Sequence, residues 1–195
     1  LRSKVSWCSI LGQTYHIAVG GYSADSGLIN LGVVSNGTSC TEAAPCGQCM
    51  DCTANEGEPI CVDEYVDTYN GGCNSTPAVF QPITCGQTIC GTSGHYLFNG
   101  QIYRDTDWFE LQTTDYKIFT WTATADFPVQ IYVLDGGSGN CVDYSILGQA
   151  ARARCLPATI TTACLPPGRY WFLVMPSGDA SDVPCGTRYE AMLTC

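Results

Sequence analysis

Lysine is almost missing from this chain: Lys4 and Lys117 are the two in 195 residues, and Lys and Arg together number 8 against 18 Asp and Glu. A net charge of -10 provides no basic footprint for phosphates, which excludes nucleic-acid binding and disfavours anionic lipid. Histidine is equally scarce, with His16 in a strand-like stretch and His95 in a Gly-rich loop. Neither belongs to an HExxH pair, and no GxSxG is present, so no metallopeptidase or serine-hydrolase pattern exists. No run of 18 apolar residues occurs, so no membrane insertion is expected. The opening Leu-Arg-Ser-Lys-Val-Ser-Trp-Cys has neither Met nor an apolar signal core, and a cleaved or upstream N-terminus is expected.

Charged residues make up only 13% of the chain, while hydrophobic residues reach 45% and aromatics 11%, a composition suited to a packed fold and unsuited to disorder. Cysteine is abundant. The even set of 14, Cys8, Cys40, Cys46, Cys49, Cys52, Cys61, Cys73, Cys85, Cys90, Cys141, Cys155, Cys164, Cys185 and Cys195, suits seven disulfides and an extracellular or cell-surface location. Cys46-Gly-Gln-Cys49-Met-Asp-Cys52 has the spacing of a metal or cluster site, but the next cysteine, Cys61, is too distant for a ferredoxin run. Disulfides are therefore expected there.

Residues 8–40 parallel the end of the chain. Cys8-Ser-Ile-Leu-Gly12 and Cys164-Leu-Pro-Pro-Gly168 share a spacing, each followed by an aromatic strand, a Ser/Asp/Gly-rich loop, a second strand and a closing cysteine, Cys40 or Cys195. Residues 1–40 thus read as the C-terminal part of an upstream copy of one module. Two strands cannot bury an apolar face alone, so Tyr15–Val19 and Leu28–Val34 are expected to find partners in upstream chain or a neighbouring subunit. Residues 41–76 read as a Cys-rich linker or arm, and residues 77–195 as a β-sandwich domain.

Within that domain Lys117–Ala125 alternates cleanly, with Phe119, Trp121, Ala123 and Ala125 on one face. Val129–Leu134, Asp107–Leu111, Arg169–Val174 and Thr187–Leu193 complete the strong strands, with weaker ones near Val79–Thr84 and Gln87–Cys90, and residues 142–153 hint at a helix. Many short strands with abundant Gly and Thr predict an all-β, disulfide-rich, jelly-roll-like β-sandwich.

Asp105 and Asp107 lie on one side of an extended chain, about 7 Å apart from the rise per residue, a pair suited to a hard cation or to glycoside hydrolysis. Nothing in the sequence raises a pKa there. Oxygen-bearing residues also crowd the arm at Glu56, Glu58, Asp63, Glu64, Asp67 and Asn70, and the candidate calcium ligands are Asp67, Asn70, Asp105 and Asp107. No other cofactor is expected. Asn36-Gly-Thr38 and Asn74-Ser-Thr76 match the N-glycosylation acceptor. Trp7, Trp108, Trp121 and Trp171 suit core packing better than an exposed sugar platform.

Arg104-Asp-Thr-Asp-Trp-Phe-Glu-Leu111 and Gly168-Arg-Tyr-Trp-Phe-Leu-Val174 resemble the Asp-x-Asp-Trp-aromatic and Gly-x-Tyr-aromatic strands of the bacterial pre-peptidase C-terminal domain family. Tyr65–Pro77 and Thr84–Gly91 are similar to stretches of its Cys-rich variants in large secreted bacterial proteins. The resemblance covers about residues 56–195, plus the partial copy at 8–40. It implies a non-catalytic module, often repeated or appended to secreted enzymes, some of whose relatives bind calcium near the N-terminal arm or adhere to collagen or polysaccharide. Together the residues and the resemblance lead to an expected extracellular structural module that forms a fibre or surface assembly with copies of itself or tandem neighbours. The alternative is a glycan- or protein-binding accessory module of a secreted enzyme, with calcium dependence.

Overall fold

The computed structural model describes Ile17, residues 30–34, Cys46, residues 52–178, Ala180 and residues 182–195. The chain divides into two compact units, Leu1–Ala44 and Pro45–Cys195. In the first, the described Ile17 and residues 30–34 have no regular secondary structure, and the rest of the expected partial copy lies outside the described residues, as do Cys8, Cys40, Asn36, Trp7 and His16, and Cys49 of the second unit.

The second unit is all-β among its described residues. Its strands are β1 (Ala54–Asn55), β2 (Gln81–Pro82), β3 (Gln87–Ser93), β4 (His95–Phe98), β5 (Gln101–Arg104), β6 (Asp107–Thr113), β7 (Thr120–Ala125), β8 (Val129–Asp135), β9 (Ser145–Arg152), β10 (Ala158–Thr161), β11 (Gly168–Pro176) and β12 (Thr187–Thr194). They form two five-stranded sheets, β1-β3-β12-β7-β10 and β2-β6-β11-β8-β9, with β4 and β5 as a separate hairpin.

Alternation explains the core. Trp121, Ala123 and Ala125 of β7, Tyr189, Ala191 and Leu193 of β12, Ile131 and Val133 of β8, and Phe172 and Val174 of β11 all point into one buried cluster. Strand β11 does not alternate, because its other face is covered as well: Trp171 and Leu173 join Trp108 and Leu134 in a second buried cluster. Phe80 stacks on Trp171 at 4.5 Å between centroids. Sandwiched in this way, Tyr170–Pro176 reads as a continuous buried run.

The segment that hinted at a helix is strand β9, paired antiparallel with β8. Its alanines favour a helix only weakly, and long-range pairing overrides that preference. The Cys-rich stretch expected as a linker contributes β1, which adds parallel to β3 at the edge of the first sheet. Among the described residues, five disulfides fasten the unit: Cys46–Cys155, Cys52–Cys90, Cys61–Cys185, Cys73–Cys141 and Cys85–Cys195. The cysteines of the CxxCxxC run that are described, Cys46 and Cys52, thus pair with distant partners. Cys164, expected in a bridge, is exposed and carries none, which corrects that expectation.

Candidate metal centre

Two chain segments converge on one buried point. The first is the stretch after β1, which carries Glu56, Glu58, Asp67 and Asn70, and the second is the entry to β6, which carries Asp105 and Asp107. Carboxylate oxygens of Glu56, Glu58 and Asp107 lie within 4.8 Å of one another, and so do those of Glu58, Asp67 and Asp105, so that Glu58 is common to both groups. Asp107 is wholly buried, Asn70 is 1% exposed and Asp105 3%.

Local structure sets each side chain. The Asp67 carboxylate accepts the N–H groups of Tyr69 (2.7 Å) and Asn70 (3.2 Å), an Asx-type turn that carries the chain inward. The Asn70 carbonyl then accepts the Trp108 N–H at 2.8 Å and locks the turn against β6. Glu56 accepts the Thr92 N–H at 2.5 Å and the Tyr189 hydroxyl at 2.7 Å. Glycine is required at 91, because a Cβ there would meet the Glu56 carboxylate and the Tyr189 ring. Tyr65 donates its hydroxyl to Glu58 at 2.7 Å.

What the cluster lacks is equally informative. Both Asp107 carboxylate oxygens, Glu58 Oε2, and Asn70 Oδ1 and Nδ2 are buried without a hydrogen-bond partner. Burial, followed by the charges of Glu56, Asp105 and Glu58, drives the Asp107 pKa well up. Burial and the charges of Glu58, Asp67 and Glu56 push Asp105 up to about 9. Glu56 rises to about 7, chiefly through burial and against the hydrogen bonds from Thr92 and Tyr189. Glu58 is raised by burial and by the charge of Asp67. Orphaned buried oxygens of like charge are costly unless a proton or a cation joins them.

The donor set fits a hard divalent cation. Calcium takes six to eight oxygens from carboxylates, amides and carbonyls, with no need for nitrogen or sulfur. Asp67, Asn70, Asp105 and Asp107, the ligands expected from the sequence, all lie in or beside this cluster. Glu58, shared by both groups, is among the arm's oxygen-bearing residues named from the sequence but not among the four candidate ligands, and the ordering hydroxyls of Tyr65 and Tyr189 are new. The Glu56-Gly-Glu58 alternation was the available signal for the first, whereas Tyr189 lies 133 residues from Glu56 in sequence. Asp63 and Glu64 serve elsewhere, accepting the N–H groups of Leu97 (2.9 Å) and Asn99 (3.1 Å) in the β4–β5 hairpin.

Beside the cluster lies a groove of about 610 Å³ lined by Tyr65, Tyr96, Tyr103, Asp67 and Asp105, among others. Tyr96 and Tyr103 are stacked, with centroids 6.2 Å apart. Asn74 is exposed, and its Nδ2 donates to Thr106 Oγ1 at 2.9 Å. Trp108, Trp121 and Trp171 are buried and form no sugar platform. His95 accepts the Val183 N–H on Nδ1 and belongs to no catalytic pair among the described residues.

The observations define a class of protein: a disulfide-fastened β-sandwich with a buried acidic cluster at the root of its N-terminal stretch. No family model matches the chain, and no curated protein matches it. Among solved structures the chain is similar to the pre-peptidase C-terminal domain of a collagenase from Bacillus anthracis, with 13% identity and a TM-score of 0.40, over 58% of this chain and 93% of that domain.

Proposed function

We propose that this chain is a non-catalytic extracellular structural module. Its sandwich is held by disulfides and pinned by calcium, and it persists in a fibre or surface assembly built from copies of itself or tandem neighbours. The observation that carries the reading is the buried cluster itself. Asp107 is wholly buried with both carboxylate oxygens unpartnered, so it cannot meet a substrate, whereas a cation there ties the stretch after β1 to β6. Five disulfides that join residues 38 to 124 positions apart supply the covalent counterpart. Such cross-links restrict the unfolded chain and persist only in an oxidising compartment.

Calorimetry with calcium and with chelator, together with negative-stain microscopy of the native material, tests the reading. A calcium-dependent rise in melting temperature and regular assemblies are expected. A cation-indifferent, strictly monomeric chain would contradict it.

A second reading, an accessory module that binds glycan or protein, is favoured by the tyrosine-lined groove beside Asp67 and Asp105. Saturable, calcium-dependent retention on insoluble glycans would select it over a passive structural part.

A further inference from the structure

The longest open sheet edge among the described strands is β9. It is the end strand of its sheet, bonded to β8 alone, and it spans Ser145–Arg152. The other end strands are short: two residues each in β1 and β2, and four in β10, which follows Pro157. Unpaired edges invite another strand, and natural proteins guard them with lysine, proline, bulges or brevity. Strand β9 has neither lysine nor proline, and its one bulge lies opposite Val133 and Leu134. Past the bulge, Gly148–Arg152 pairs regularly with Val129–Val133 over five residues. Ile146 in the strand and Val142 and Tyr144 just before it are 58%, 85% and 42% exposed.

The chain also carries a segment of matching chemistry. Asn30-Leu-Gly-Val-Val34 has no regular secondary structure, and Leu31, Val33 and Val34 are 59%, 66% and 88% exposed. Residues 26–41 carry no charge, so nothing repels this segment from the basic end of β9 at Arg152 and Arg154. Among the described residues, neither this segment nor the outer edge of β9 has a strand partner.

We infer that β9 of one copy accepts Asn30–Val34 of a second copy as a sixth strand of its sheet, so that copies join head to tail. The inference deepens the structural-module reading and rests on it. Backbone hydrogen bonds would supply the affinity, and Leu31 and Val33 would cover the apolar margin of the edge. Such a contact is heterologous: it joins different surfaces and propagates as a filament unless the rotation closes a ring.

Mixing two defective variants of the full chain tests this. One carries Leu31→Asp and Val33→Asp in the donor segment, and the other carries Gln149→Lys and Ala151→Lys at exposed positions of the acceptor strand. Both should melt as the unaltered chain does, since neither set touches the core. Each alone should need a concentration about tenfold higher or more to assemble, read by sedimentation velocity. Mixed, they should form heterodimers that stop at two copies, because only one intact donor and one intact acceptor remain. If both variants assemble like the unaltered chain, or if the mixture gives no dimer, the β9 assignment is overturned. If Thr159→Lys on β10 blocks assembly and the β9 variant does not, the acceptor is the other sheet edge and the assignment again fails, while the structural reading stands. An unaltered chain that never assembles overturns both.

Discussion

On the calcium reading proposed above, chelation should destabilise the fold, and increasingly so as the pH rises. In the cation-free protein the buried carboxyls have folded pKa values above their unfolded ones: Glu56 moves from 4.5 to about 7 and Asp105 from 3.8 to about 9. An acid raised in this way favours the fold while it is protonated. That contribution is fully present below the unfolded pKa and is lost as the pH climbs towards the folded value. The cation-free chain should therefore lose stability progressively from about pH 3.8 to about pH 9, by an amount of the order of several kcal/mol. Calcium should reverse the trend, because a cation that replaces the protons binds best when the carboxylates are ionised. At a free concentration a thousandfold above its dissociation constant, calcium adds about 4 kcal/mol. For a chain of this size that is a rise of roughly 8–16 °C in melting temperature. Differential scanning calorimetry at about pH 5, 7 and 9, with calcium and with chelator, measures both effects. Titration calorimetry in buffers of different ionisation enthalpy counts the protons released. Superimposable melting curves with calcium and with chelator at about pH 9 would refute the cation reading.

Asp107→Asn should raise the melting temperature of the chelated protein as the pH rises, because the amide stays neutral where the buried carboxyl must hold its proton against the rising pH, and should shrink the calcium-induced shift; calorimetry reads both. Replacing Cys46 and Cys155 together by serine opens a covalent loop with a sequence separation of 109 and should cost about 2–4 kcal/mol in denaturant titrations. Trp171→Ala, at a fully buried ring stacked on Phe80, should cost about 3–5 kcal/mol and disturb the near-ultraviolet circular dichroism. Gly72→Ala should destabilise in the same titrations, because φ is +54° there and an added Cβ would strike the Trp108 ring.

The strands were legible where one face is wet. Phe119, Trp121, Ala123 and Ala125 share a face in the sequence and are buried together in the core. Legibility fell where pairing overrides local preference. The Ala-rich run in β9 has a helical composition but becomes a strand because β8 lies alongside it. The short β1 carries no periodic signal in two residues, and it exists because β3 offers an edge. At the acidic cluster, the oxygen-bearing residues could be named one by one, since carboxylates near glycines are visible in any sequence. Their convergence could not be read, because Glu56 and Glu58 reach Asp107 only when the stretch after β1 turns back at Asp67 and Asn70 against β6.

Composition and alternation by themselves determined an acidic, cystine-rich, all-β chain with no basic footprint for nucleic acid, because charge balance, cysteine number and a two-residue period need no partner to be seen. Tertiary structure alone decided which of the described cysteines meet, which described strand is left at a sheet edge, and that scattered acids become one buried cluster. Burial is a property of what surrounds a side chain, and residues far apart in the sequence do the surrounding.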